Sequence, residues 1–294
     1  MAATMNFQSW QIWRDRRGRL SPLRVGTLAL LLFPVAKALV DYADISGGAR
    51  PLNDLIHRAG FWALVFLGLS LAVTPFRRVA RYGNLIDVRR MIGVATFIYA
   101  FAHVALYVAD QRYDVAKIFS ELTTRLYLII GGIAWLGLAV LTLTSTDGWV
   151  RRLGGMNWRR LHQVIYVIAL LALVHYFQQT KANVTVPVFA AGLLTWLMGY
   201  RLLAWRQGGG ELSTLKLLVL AVVVSLLTFA GEAIGIGLTF NVSPLRVLDS
   251  VFDFDVEIRP GWQVLAAGLV VAAVDAVRAR FNSRPARVRT APAA

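Results

Sequence analysis

The sequence predicts an all-α fold, a polytopic membrane helix bundle of about eight transmembrane helices. Three observations carry this expectation. Hydrophobic residues make up 57% of the 294, and mean hydropathy is +0.58, where a soluble domain is nearer about half apolar. Apolar runs of spanning length, about 20 residues each, follow one another with short connections along the whole chain. Lys and Arg gather between the runs on alternate sides.

In order, the predicted spans are Arg24 to Val40, His57 to Phe76, Met91 to Val108, Leu126 to Thr144, Leu161 to Phe177, Val186 to Trp205, Leu215 to Leu238 and Gly261 to Val277. The N-terminus, the even loops and the C-terminus hold 22 Lys and Arg, the odd loops hold 8, and Lys37 lies in the first run. Basic residues are retained on the cytoplasmic side. Arg14, Arg16, Arg17, Arg77, Arg78, Arg89, Arg90 and the Arg-rich tail therefore face inward, and Asp41, Asp44, Asp110 and Asp253 outward. Both termini are expected in the cytoplasm of a bacterial inner membrane. Ala36-Lys37-Ala38 resembles a signal-peptide cleavage site, but the long region before it and the even span count favour a retained helix.

This layout gives a cytoplasmic N-terminal segment over 1–23, a six-helix bundle over 24–205, a linker with two further helices over 206–277, and a basic tail over 278–294. Trp149 to Arg160, WVRRLGGMNWRR, reads as interfacial, with aromatic rings at headgroup level. The RQGGGE stretch from Arg206 reads as a flexible linker. The absence of cysteine excludes disulfides, thiolate metal sites, iron-sulfur clusters and covalent CxxCH haem. The net charge of +15 is spread between apolar runs rather than gathered in a stripe, so nucleic acid is not an expected partner. The lipid bilayer is.

An ionisable group inside a membrane asks for a reason. The chain has four histidines, His57, His103, His162 and His175, all within or at the ends of apolar runs. His103 follows Arg90 by thirteen residues and His175 follows His162 by thirteen, which puts each roughly 20 Å from the inner edge of its span. Two imidazoles at one level on neighbouring helices are what a six-coordinate haem b needs. The competing reading, interhelical hydrogen bonding, is open to any single membrane histidine. Thirteen residues leave His162 about 140° away from the face of His175, so a cofacial second haem does not follow from spacing. His57, at the outer mouth of the second span, suits interfacial solvation, and Glu232 suits pairing with Lys37 or a loop arginine.

Arg89-Arg90-Met91-Ile92-Gly93 with Phe97, Tyr99-Ala100 and His103 resembles the MsrQ (formerly YedZ) family, the haem-binding membrane subunits of the bacterial periplasmic methionine sulfoxide reductase system. So do Ala72-Val73-Thr74-Pro75 with Arg77, Thr144-Ser145-Thr146, Arg152-Leu153-Gly154 with Trp158, Leu161-His162, Tyr166 and His175-Tyr176. The resemblance covers about His57 to Leu203 and extends to the ferric reductase-like transmembrane superfamily. It implies one haem b, with a second in reserve, and FMN. Arg89 and Arg90 stand where the two-haem members carry a histidine, so His162 lacks an opposite ligand. Met91 or Met156, a five-coordinate iron, or flavin are the alternatives there.

The resulting candidate site is His103 and His175 on one iron, with His162 at an inner electron-entry site. Arg77, Arg78, Arg89, Arg90, Arg159 and Arg160 stand ready for haem propionates or a flavin phosphate. The expected function is an electron-transfer subunit rather than a catalytic one. A quinol or a cytoplasmic flavin reductase would give electrons through flavin, and a periplasmic molybdopterin-containing catalytic subunit, the heterodimer partner, would use them to repair oxidised methionine in proteins. A transporter with a polar intramembrane pathway is the alternative from another class; internal symmetry would favour it, and none is legible in the sequence. A stand-alone metal reductase of the superfamily would need a nucleotide-binding domain, for which no stretch is seen.

Overall fold

The computed structural model describes residues 13, 14, 18–180, 183–255 and 257–282; Arg16, Arg17, Lys181 and the arginines beyond Asn282 lie outside them. Twelve α-helices occur among these residues: α1 (Pro22–Val40), α2 (Tyr42–Gly47), α3 (Pro51–Val79), α4 (Ile86–Asp110), α5 (Val115–Thr124), α6 (Leu126–Leu143), α7 (Asp147–His162), α8 (Ile165–Gln179), α9 (Thr185–Arg206), α10 (Thr214–Phe240), α11 (Pro244–Asp249) and α12 (Pro260–Asn282). The local sequence accounts for several boundaries. Ser21 caps α1 through Arg24 N with Pro22 at the first position, Thr146 caps α7 through Trp149 N, and Ser213 caps α10 through Lys216 N, each satisfying a backbone donor that the first turn leaves free. Beyond α9, Gly208 and Gly209 take φ of 79° and 90°, which only glycine adopts without strain, and so close the helix.

Among the described residues, seven helices are long and apolar enough to cross a membrane: Pro22–Val40, Pro51–Val79, Gly83–Asp110, Leu126–Leu143, Gly155–Gln179, Thr185–Arg206 and Thr214–Phe240. These correspond to the first seven predicted runs. The eighth run forms α12, a helix of 23 residues that carries Asp275, Arg278 and Arg280 and is not among the seven. Three short helices, α2, α5 and α11, fall in stretches read from the sequence as connections. The WVRRLGGMNWRR stretch, read from the sequence as interfacial, is helical with a break at Gly154, where φ is 74° and ψ 149°.

The chain divides into two compact units. One comprises the residues up to Thr74 with Asn84–Pro187, and so contains all four histidines. Its α1, α3 and α4 meet around Phe66, 0% exposed, with Leu31, Val73, Val88, Ile92 and Ala95. Tyr99 of α4 packs edge-on against Phe66 and donates its hydroxyl to the Leu31 carbonyl of α1 at 2.7 Å. Lys37 and Arg58 both pair with Asp41, at 3.0 and 2.7 Å, so Lys37 finds its counter-ion one turn along its own chain.

The other unit comprises Pro75–Gly83 and the chain from Val188. In it α10 and α12 approach closely at Gly268, where an added Cβ would lie 2.5 Å from the Ala221 Cβ, the small-residue contact that membrane helices favour. Ser225 of α10 donates to the Gly261 carbonyl at 2.8 Å, and Thr214 donates to Asp275 at 2.7 Å. Glu232, 3% exposed, pairs with Arg259 at 3.2 Å, one of the loop arginines anticipated for it.

Candidate functional site

His103 lies on α4 and His175 on α8, and their ring centres are 6.2 Å apart with the planes at 86°. Each ring is held from behind by a different helix. His103 Nδ1 lies 2.8 Å from the Ile56 carbonyl of α3, and His175 Nδ1 lies 2.8 Å from the Tyr127 carbonyl of α6. A carbonyl oxygen only accepts, so both Nδ1 atoms carry the proton. Each Nε2 keeps its lone pair and is free to act as a metal ligand.

His162 is built differently. Its Nε2 meets Thr144 Oγ1 at 3.2 Å, while the Thr144 hydroxyl donates to the Val140 carbonyl at 2.7 Å. The threonine has one proton, already given away, so His162 Nε2 donates to it. The opposite tautomer follows, with the atom used by the other two histidines occupied here. The Trp158 indole stacks on the His162 ring at 4.0 Å and donates to the Thr144 carbonyl at 2.9 Å. Thr144 and Tyr127, which hold His162 and His175, are seventeen residues apart at the two ends of α6, roughly 25 Å along the helix. His162 therefore belongs to the opposite end of the bundle from the His103–His175 pair.

Of the arginines expected beside His162, Arg89, Arg90, Arg159 and Arg160 belong to this unit, whereas Arg77 and Arg78 belong to the other. Arg90 is joined to Asp147 at 2.8 Å, which ties the N-terminal part of α4 to the first residue of α7. Arg159 and Arg160 are exposed, and so is Met156, at 60%. His57 is exposed on α3, one residue from the Ile56 carbonyl that holds His103. No group of three or more His, Cys, Asp or Glu able to hold a metal ion occurs among the described residues; a two-imidazole site lies below that number.

The sequence reading missed the backs of the two rings. Ile56 and Gly60 on α3 correspond to Tyr127 and Gly131 on α6 at a spacing of 71 residues in each case, and His103 corresponds to His175 at 72. The pairs α3–α4 and α6–α8 thus repeat one arrangement. That spacing was the available signal, and it is legible only once the carbonyls are known to matter.

The fold is that of a ferric reductase-like membrane component. The family model described as "Ferric reductase like transmembrane component" matches residues 59–173. More narrowly, the chain belongs to the MsrQ family. It is 38% identical over 206 residues to the protein-methionine-sulfoxide reductase heme-binding subunit MsrQ of Xanthomonas oryzae pv. oryzae (strain MAFF 311018), covering 70% of this chain and 81% of that one. The subunit of the same name in Xanthomonas campestris pv. campestris (strain B100) is 41% identical over 170 residues, 58% of this chain and 77% of that one. That of Rhodospirillum rubrum is 35% identical over 190 residues, 64% and 89%. No solved structure matches the chain.

Proposed function

We propose that His103 and His175 hold one haem b between α4 and α8, and that the chain passes electrons across the bacterial inner membrane to a periplasmic molybdopterin-containing methionine sulfoxide reductase. The observation that carries this reading is the pair of rings with Nδ1 engaged and Nε2 free. Their separation fits a shared metal. A metal–imidazole bond of roughly 2 Å and roughly 1 Å from nitrogen to ring centre, counted twice, give about 6 Å, against the 6.2 Å observed. The relatives' name, heme-binding subunit of protein-methionine-sulfoxide reductase, supports both the cofactor and the destination of the electrons.

When bound, haem iron supplies one-electron chemistry at a potential set by its axial ligands and their hydrogen bonds. The chain's own residues supply the rest. α3 and α6 hold the rings through the Ile56 and Tyr127 carbonyls. At the other end His162 and Trp158 of the last turns of α7, with Thr144 at the end of α6, form an aromatic platform. Arg89, Arg159 and Arg160 there suit a flavin phosphate, for which the planar guanidinium is adapted, with quinol or a flavin reductase as donor.

The ferric protein should give a low-spin bis-imidazole electron paramagnetic resonance signal. Replacing His103 or His175 with alanine should remove it, and replacing His57 or His162 should not. A low-spin signal that survives in both the His103 and His175 variants would overturn the ligand assignment.

A further inference from the structure

Gly60 stands one helical turn after Ile56 and Gly131 one turn after Tyr127, so each glycine lies beside the carbonyl that receives a histidine. A Cβ on Gly60 would lie 2.9 Å from His103 Nδ1 and 3.1 Å from its Cε1; a Cβ on Gly131 would lie 2.8 Å from His175 Nδ1 and 2.9 Å from its Cε1. Neither glycine is among those with positive φ. The backbone at these positions therefore does not require glycine, and the space does. Ordinary small-residue packing between membrane helices occurs on α6 at Gly137, where a Cβ would lie 2.8 Å from Ile168 Cδ1. Gly60 and Gly131 differ in that the atoms met are those of an imidazole, while Gly68 on α3 has nothing within 4 Å and Gly132 on α6 meets only Leu122 at 3.7 Å.

We infer that Gly60 with the Ile56 carbonyl, and Gly131 with the Tyr127 carbonyl, are two equivalent clamps that set the donor strength and the ring orientation of His103 and His175. This rests on the ligation reading above. The missing side chain lets the imidazole edge reach a helix carbonyl at 2.8 Å. Donation of Nδ1–H to that carbonyl makes the ring a more basic ligand and so favours the ferric over the ferrous state. Each ring is also held at two points, Nε2 on the metal and Nδ1 on the carbonyl, which stops rotation about the metal–nitrogen bond. The clamps thereby keep the two planes at 86°. Because the same device recurs on α3 and α6, neither histidine is the weaker partner.

The test compares Gly60→Ala and Gly131→Ala with Gly68→Ala and Gly132→Ala in purified full-length protein, reading haem content, midpoint potential and the anisotropy of the ferric low-spin signal. Gly60→Ala and Gly131→Ala should each raise the potential and change the anisotropy, or lose haem, while the two control variants keep wild-type values. If either clamp variant folds poorly, combining it with alanine at its own histidine separates the causes: the clash is with imidazole, so Gly60→Ala should cost no stability in a His103→Ala background. Equal destabilisation in both backgrounds, or clamp variants indistinguishable from the controls, would overturn the inference. The ligation reading fails separately, if haem survives in both His103→Ala and His175→Ala. If those variants lose haem while the clamp variants match the controls, only the clamps are wrong.

Discussion

The imidazoles of His103 and His175 face each other with ring centres 6.2 Å apart and planes nearly perpendicular, although 72 residues separate them in the chain. Nothing in either helix alone requires this. α3 and α6 each offer a carbonyl, of Ile56 and Tyr127, and each accepts a hydrogen bond from one ring.

His162 is expected to be dispensable for haem binding. Its Nε2 is committed to Thr144 and its ring is covered by Trp158. His162→Ala should keep the wild-type haem content and slow reduction from the cytoplasmic-side donor by stopped-flow absorbance. Loss of haem with unchanged kinetics in the remainder would place this residue at the other site.

The Glu232–Arg259 pair predicts a stability effect in the second unit. Glu232 is 3% exposed and Arg259 25%, and removing one partner of a buried pair leaves the other charge uncompensated, at a cost of about 3 kcal/mol. Arg259→Met should lower the thermal unfolding midpoint in detergent, and adding Glu232→Gln should recover most of the loss. An Arg259→Met variant as stable as wild type would show that the ion pair carries no weight.

Asp41 predicts a pH dependence. The Arg58 guanidinium, with Lys37 beside it, holds the Asp41 carboxyl below its ordinary value. A depressed carboxyl contributes stability that is present above the unfolded-state value and is lost as pH falls through the folded-state value. The stability difference between wild type and Asp41→Asn should therefore be constant at neutral pH, begin to shrink near about pH 4 and go on shrinking as pH falls through the depressed folded-state value. A difference that does not change at all as pH falls below about 4 would rule out this origin.

Orientation is predicted from the arginines that the structure leaves at the ends of α3, α4 and α7. Reporter fusions at Gly83 and Gly155 should both read as cytoplasmic, because Arg77 to Arg90 and Arg151 to Arg160 are costly to translocate. Periplasmic alkaline phosphatase activity at either position would invert the assignment of entry and exit sides.

Much of the fold was legible because spans announce themselves by length and apolarity: seven of the eight predicted runs meet both conditions as helices. The short α5 was missed because its ten residues, VAKIFSELTT, lack the length of a span and sit between two of them. That the His103 and His175 rings come close was legible from depth, since a rise per residue is all that equal depth requires. Ile56, Gly60, Tyr127 and Gly131 were not found. Their part is played by backbone carbonyls and by absent side chains, neither of which a residue type advertises. His162 was separated from the pair by helical phase, but its partners Thr144 and Trp158 depend on a three-dimensional approach that spacing does not encode. The repeat of α3–α4 in α6–α8 escaped notice for the same reason: it is a repeat of geometry carried by few identical residues.

We propose that one haem is held by His103 and His175 together. Reduced-minus-oxidised optical spectra of the purified wild-type protein and of His103→Ala and His175→Ala, with haem counted as its pyridine haemochrome, test it most directly. One haem b per chain in the wild type, and loss of its low-spin spectrum in each variant, is the predicted result. An unchanged spectrum and haem content in both variants would contradict it.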